Sequence, residues 1–377
     1  MKIEAAILEE IGRPGPYAET RPLTVEEIDL EGPRDGEVLL RMAASGLCHS
    51  DLSVINGDRP RQIPIVLGHE SAGVVEEVGP GVERLRPGDH VISVFVPSCG
   101  HCGPCQGGRP ALCEPGAAAN GAGEMIAGGT RLSRRGETVY HMTGVSCFAT
   151  YATVSQNSLI KIDPEIPLDI AALMGCAVLT GAGAVFNSGD VKPGCCTAVV
   201  GLGGVGLAAV MAARVAGAEK IVAIDILPEK LEAAMALGAT HAVDSSSADA
   251  TAEIRELTAG GADTALDFTG NVKALRLAYD VTRRGGVTIT AGLPNPKSML
   301  EIPAVGLTGE ERTLKGSYLG SGVPSRDIPR FLALHKQGRL PVERLMTHKI
   351  ALADINEGFD RLHNGEAIRQ VIDFAAG

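Results

Sequence analysis

The 377-residue chain contains no tryptophan, and aromatic residues make up only 3% of it. Its core must therefore be built from Val, Ile, Leu and Ala. No run of like charge is long enough to form an interaction tail. A formal net charge of −11 and a pI near 5.4 argue against a nucleic-acid partner and against an anionic membrane. An export signal is not expected either, because Met1–Gly15 (MKIEAAILEEIGRPG) is acidic and has no apolar core. The least polar stretch, Thr197–Ala213, carries four glycines and falls short of the length that crosses a bilayer. Internal repeats are absent as well. Nine cysteines, an odd number, point to a reducing cytoplasm and to metal thiolates in place of disulfides.

What is present suits a globular α/β chain of two domains: 45% hydrophobic residues, 48 glycines and ample length. The N-terminal part has short β-type runs broken by Gly and Pro, among them Glu37–Ser45, Ser71–Gly79 and Asp89–Val96, which predict a barrel-like β domain. Pro115–Phe148 reads as a long polar, Gly-rich loop over a site or a subunit contact. From about Gly181 strands and helices alternate: Cys196–Val200, Gly204–Gly217, Ile221–Asp225, Pro228–Leu237, His241–Val243, Thr264–Phe268 and Gly286–Thr290. That rhythm predicts a doubly wound parallel sheet. The pattern weakens near Gly320, and a helix at Pro329–His335 and the GEAIRQVIDFAA segment suggest a return to the first domain. The expected division is 1–178 with 320–377 for the β-rich domain, and 179–319 for the inserted α/β domain.

Cys99, Cys102, Cys105 and Cys113 are spaced C-x2-C-x2-C-x7-C in a Gly- and Pro-rich stretch. Neighbouring loop positions rarely allow strain-free disulfides, whereas four thiolates close a tetrahedral zinc shell. A closed shell holds structure and does no chemistry.

Gly201, Gly203, Gly204 and Gly206, with Val205 among them, form G-x-G-G-x-G between a strand and a helix. The pattern alone is weak and fits a turn that binds nothing. Here Asp225 ends the following strand, which is the context a dinucleotide site requires. The glycines let a pyrophosphate approach the helix N-terminus. Asp225 would accept both adenosine-ribose hydroxyls and repel a 2′-phosphate, favouring NAD over NADP.

Cys48, His69 and Cys176 are too far apart in sequence to define a site by spacing, and each alone could be a core residue. Together, GLCHSD, GHESAGVVEEVG, the four-cysteine lobe, GCAVLTG, GLGGVG with Asp225 and GEAIRQVIDF resemble the zinc-dependent medium-chain alcohol dehydrogenases. The motifs span Cys48–Phe374 in the family's order, and the long segment before Phe148 resembles the longer, typically dimeric members. The resemblance implies a GroES-like catalytic domain, a Rossmann domain and an active site in the cleft between them. It also implies two zinc ions and NAD, a catalytic zinc held by Cys48, His69 and Cys176, and a fourth position open to substrate oxygen. Glu70 resembles the family's near-zinc glutamate, Asp51 the carboxylate that orients His69, and Ser50 the hydroxyl on the substrate oxygen. His49 and Arg369 resemble phosphate contacts, and Lys230 an adenosine-ribose ligand.

The chain departs from the family pattern at two positions. Ser53 stands where the best-known animal members carry a proton-relay histidine, so the proton is expected to leave by another route. Ala117 stands where the glutathione-dependent formaldehyde dehydrogenases of the family carry an arginine, which makes a thiol adduct the second choice of substrate. Phe95, Phe148, Leu293 and Tyr318 fall where the resemblance puts the pocket lining. They suggest a medium-sized hydrophobic or aromatic primary alcohol, or its aldehyde.

Overall fold

A computed structural model describes residues 1–374. The chain forms two compact units, one of Met1–Cys176, Val323–Pro329 and the chain from Met346 onward, the other of Ala177–Gly322 and Arg330–Leu345.

In the first unit, Lys2–Leu8, Leu23–Leu30, Leu132–Arg134, Glu137–His141 and Ile65–Val66 pair in that order and close into a barrel. A second sheet centres on Glu37–Gly46, which pairs with Ser71–Val78, Tyr151–Ser155 and Arg369–Asp373. Val38, Leu40 and Met42 of that strand pack with Val75, Val91 and Val154 into an aliphatic core.

The segment Pro115–Phe148, expected to be a loop, is instead structured. It supplies the helix Glu114–Ala122 and the two strands that complete the barrel. Those strands meet through Arg135 and Gly136, both at positive φ (54° and 82°), the geometry of a tight two-residue hairpin turn. A left-handed arginine is uncommon, so the turn escapes composition rules. The buried Arg131 anchors the segment with Nε and Nη2 on the two oxygens of Glu37, at 2.8 and 2.6 Å.

In the second unit the parallel strands lie in the order His241–Asp244, Lys220–Asp225, Cys196–Val200, Ala262–Asp267, Thr282–Thr290 and Thr313–Gly316. Their aliphatic residues, among them Val200, Val222, Ile224 and Ala265, are buried because helices cover the sheet. The edge strand Thr313–Gly316 is too short and polar to be read from sequence. The helix expected at Pro329–His335 runs Pro324–Lys336 with Pro329 inside it, longer than expected, and Arg330–Leu345 clusters with the second unit. Among the described residues one helical run, Leu168–Ser188, is long and apolar enough to cross a membrane, but 83% of its most apolar window is buried within the protein. It is a core helix by that measure.

Candidate functional site

Cys48 precedes the short helix His49–Ile55 as its N-cap residue, and His69 stands just before the strand Ser71–Val78. Cys176 lies in a π-helical turn, Met174–Val178, a departure from regular helix that often marks functional residues. Gly175 permits this, since a Cβ there would stand 2.1 Å from the Ser93 carbonyl oxygen. The ligand atoms of Cys48, His69 and Cys176 lie within 4.8 Å of one another, and all three residues are buried. Asp51 Oδ1 faces both the Gly68 N–H and His69 Nδ1, each at 3.1 Å. That network assigns the proton to Nδ1 and leaves the Nε2 lone pair facing Cys176 Sγ at 3.6 Å. Two soft thiols and an imidazole nitrogen in a buried cluster fit a zinc ion.

The electrostatics favour thiolate at this cluster. The hydrogen bond from Cys176 holds Cys48 well below its ordinary value despite burial, with Arg369 and His69 adding to the effect. That same hydrogen bond, and then burial, push Cys176 up. Burial opposes a charged His69, but Asp51 and Cys48 outweigh it and raise its value, so a zinc ion binding there would displace the proton from Nε2. Glu70 is fully buried, with Oε2 3.5 Å from Arg369 Nη1, which also donates to the Leu47 carbonyl at 3.1 Å. Arg369 is thus buried among acidic partners. Burial works against its charge, while Glu70 and the two thiols more than restore it.

The ligand atoms of Cys99, Cys102, Cys105 and Cys113 form a second group within 4.8 Å of one another. Backbone N–H groups already point at its sulfurs: Cys99 and Gly116 to Cys113 Sγ at 3.2 and 3.4 Å, and Cys102 to Cys99 Sγ at 3.3 Å. Such donors stabilise thiolates. Cys99 falls to about 7, chiefly through the His101 backbone N–H, whereas burial pushes Cys105 up to about 12. Four thiols so close together cannot all ionise unaided, and a zinc ion fits this donor set also.

In the second unit Gly201 has φ +86°, and a Cβ on Gly206 would stand 1.8 Å from the Gly201 carbonyl oxygen. Gly203 is the N-cap of the helix Gly204–Ala216, and a Cβ there would meet nothing within 4 Å, an open approach to that helix N-terminus. Asp225 is held in place: Oδ2 accepts from Leu202 N at 2.7 Å, Oδ1 from Ile226 N and Leu227 N at 2.8 and 3.1 Å. Its Oδ2 retains acceptor capacity for a hydroxyl. Turn, open helix end and fixed carboxylate fit an adenine dinucleotide. Val205 is half-buried in the first helical turn, and Lys230 is half-buried in the first turn of Pro228–Leu237.

The remaining expected residues are scattered. His49 and Ser50 open the helix His49–Ile55, exposed and half-buried respectively. Ser53 donates to the His49 carbonyl at 2.8 Å, and Ala117 is exposed on the helix Glu114–Ala122. Phe95 meets the His69 ring edge-on, with centroids 5.4 Å apart. Phe148, expected to line the pocket, is a core residue instead: it is fully buried against Phe359 and offers a substrate no exposed face. Leu293 and Tyr318 belong to the second unit and are 46% and 39% exposed. Sequence reasoning overlooked Gly175, and also the buried Asp267, whose only signal is an acidic residue ending a strand before FTGN.

Two family descriptions match the chain: "Alcohol dehydrogenase GroES-like domain" over residues 34–164 and "Zinc-binding dehydrogenase" over residues 204–337. The NDMA-dependent alcohol dehydrogenase of Amycolatopsis methanolica is 41% identical over 380 aligned residues that span all of both chains. An S-(hydroxymethyl)glutathione dehydrogenase of Synechocystis sp. is 38% identical, covering 99% of this chain and 100% of that one. Among solved structures, benzyl alcohol dehydrogenase from Acinetobacter calcoaceticus superposes with a TM-score of 0.92 at 33% identity, covering 99% of each chain. The buried Cys-His-Cys cluster, the four-cysteine lobe, the glycine turn and these full-length matches agree, and the chain belongs to the zinc-dependent medium-chain alcohol dehydrogenase family.

Proposed function

We propose that this chain transfers hydride between NAD and a primary, medium-sized hydrophobic or aromatic alcohol or its aldehyde. The observation that carries the reading is the convergence of Cys48, His69 and Cys176 with Asp51 bonded to the outer nitrogen of His69. Zinc bound there supplies a Lewis acid to the substrate oxygen, and NAD supplies the hydride acceptor. The chain's own residues do the rest. Asp51 keeps Nε2 of His69 available, Arg369 balances Glu70 and the thiolates, and Ser50 relays the alcohol proton, accepting it as it gives up its own hydroxyl proton toward solvent. Asp225 and Lys230 hold the adenosine ribose, Gly201, Gly203, Gly204, Val205 and Gly206 admit the pyrophosphate, and His49 and Arg369 serve as further hydrogen-bond donors to it. Phe95, Leu293 and Tyr318 supply apolar surface for the substrate. The lobe zinc on Cys99, Cys102, Cys105 and Cys113 holds structure.

NADH formation over a panel of short, long-chain and aromatic alcohols, with NAD or NADP, tests this reading. The expected result is turnover of benzyl alcohol above ethanol, with NADP used poorly. A preference for ethanol overturns the substrate class, and NADP dependence overturns the role of Asp225. A second reading, oxidation of a formaldehyde–thiol adduct, is favoured by the Synechocystis relative. Activity only when thiol and formaldehyde are both added would establish it.

We further propose a cytoplasmic homodimer. None of the nine cysteines is joined in a disulfide, which suits a reducing compartment. The segment before the edge strand Thr313–Gly316 exposes Met299 and Val305 (79% and 78%), apolar surface that a second copy would cover. Light scattering of Val305→Asp against the unaltered chain checks this, and a monomeric mass for the unaltered chain would refute it.

A further inference from the structure

Asp267 ends the strand Ala262–Asp267 directly beside Val200, the last residue of Cys196–Val200. From these two strands the sheet grows outward in opposite directions, toward His241–Asp244 on one side and Thr313–Gly316 on the other. Their carboxyl ends therefore mark the switch point at which open α/β sheets take ligands. Asp267 is only 1% exposed, and nothing in the proposed reaction uses it.

Its hydrogen bonds reach two loops at once. Oδ1 accepts from the Thr269 N–H at 3.1 Å and the Thr269 hydroxyl at 2.6 Å, and Oδ2 accepts from the Thr290 hydroxyl at 2.9 Å. Its backbone carbonyl accepts from Ala291 N and Gly292 N at 2.9 and 3.3 Å. The segments so tied have no room to drift. Thr269 Cγ2 stands 2.6 Å from where a Gly201 Cβ would be, so Thr269 walls the glycine turn. A Cβ on Gly292 would stand 2.4 Å from Gly270 N, and one on Gly270 would stand 3.1 Å from the Leu293 carbonyl oxygen. Burial disfavours the Asp267 anion, with the two threonines opposing it, so an acid here is a costly way merely to fill space.

We propose that Asp267, acting through Thr269 and Thr290, is a positioning residue for NAD. It fixes the wall of the Gly201 turn and the Ala291–Leu293 loop in one geometry, so the dinucleotide meets a surface already formed. This rests on the reading of the Gly201–Gly206 turn as the NAD site, and direct NADH binding separates the two claims.

The test titrates NADH by its fluorescence into the full-length protein and into Thr290→Val, Thr290→Ser and Asp267→Asn, with thermal midpoints measured without NADH. Valine keeps the shape of threonine and removes the donor, while serine keeps the donor. The expected result is roughly tenfold weaker NADH binding for Thr290→Val and Asp267→Asn, the scale of one lost hydrogen bond to a charged group. Thr290→Ser should stay within about twofold of the unaltered protein by the same reasoning. In steady state the loss should appear in KM for NAD and not in kcat. Equal affinity in all variants overturns the proposal. So does Thr290→Ser binding as weakly as Thr290→Val, or a lower thermal midpoint with affinity unchanged. If the unaltered protein fails to bind NADH, the cofactor reading falls and takes this inference with it. Should Asp267→Asn not fold, the Thr290 pair still decides.

Discussion

Asp51 uses a single oxygen for two tasks. Oδ1 serves both the Gly68 N–H and His69 Nδ1, while Oδ2 is buried and has no hydrogen-bond partner. A buried oxygen left unsatisfied costs stability, so the residue serves the cluster at the expense of the fold. Replacing Asp51 by Ala should weaken zinc at Cys48, His69 and Cys176 about 10–100-fold, the usual cost of losing the partner behind a ligating histidine. Competition with a chelator measures this, and the lobe zinc serves as internal control. Equal chelator resistance at both sites would rule the role out. Gly206 carries a second residue-scale prediction. Its Cβ would stand 1.8 Å from the Gly201 carbonyl oxygen, so Gly206→Ala must shift the turn. NADH affinity should fall by at least about tenfold, the scale of a misplaced anion site, and unchanged affinity in a titration would refute the turn's assignment. At this scale sequence gives residue types well and neighbours poorly. It named Asp51 and Gly206, but it placed Phe148 in a pocket because nothing local says that Phe359 lies against it.

At the scale of elements, the four-cysteine lobe has little apolar support of its own. It consists of the short helix Gly103–Gln106, a 3-10 turn at Pro110–Leu112 and the start of the helix Glu114–Ala122, and Ala111 and Cys113 are its buried apolar side chains. Only Gly fits at position 116, because a Cβ would stand 2.4 Å from the Pro97 carbonyl oxygen. An element with so small a core depends on its ion. Cys105→Ser should therefore lose one of the two zinc equivalents and lower the thermal midpoint by about 5 °C or more. Metal analysis together with a thermal scan checks both, and loss of zinc without loss of stability would count against a structural lobe. The lobe was legible because its spacing is local. The hairpin Leu132–His141 was not, since its turn depends on a left-handed arginine and its anchor joins Arg131 to Glu37, 94 positions away.

For the whole molecule, the change of rhythm near Gly181 and the glycine turn made an α/β sheet and a separate β-rich unit readable, because parallel strands carry continuous aliphatic runs. The placing of Arg330–Leu345 with the second unit was not readable, since it depends on packing between distant segments. The same kind of distant packing limits how the chain tolerates acid. His141, 1% exposed, accepts at Nε2 from the Arg131 N–H at 3.0 Å. Burial, and then the Arg131 charge, push it down to about 3. An unfolded histidine titrates near 6.5, so as pH falls the unfolded chain takes this proton first. The stabilisation from a neutral His141 is thus complete above roughly pH 6.5 and is lost progressively down to about pH 3, by up to about 1.4 kcal/mol per pH unit inside that window. Glutamine can still accept from Arg131 but cannot titrate. Urea midpoints for His141→Gln should therefore fall less steeply than those of the unaltered chain between about pH 6.5 and pH 4.5. Above that range the two curves should run parallel. Parallel curves across the acid range as well would mean that His141 is reached by protons in the folded state, and that the Glu37–Arg131–His141 cluster does not govern acid unfolding.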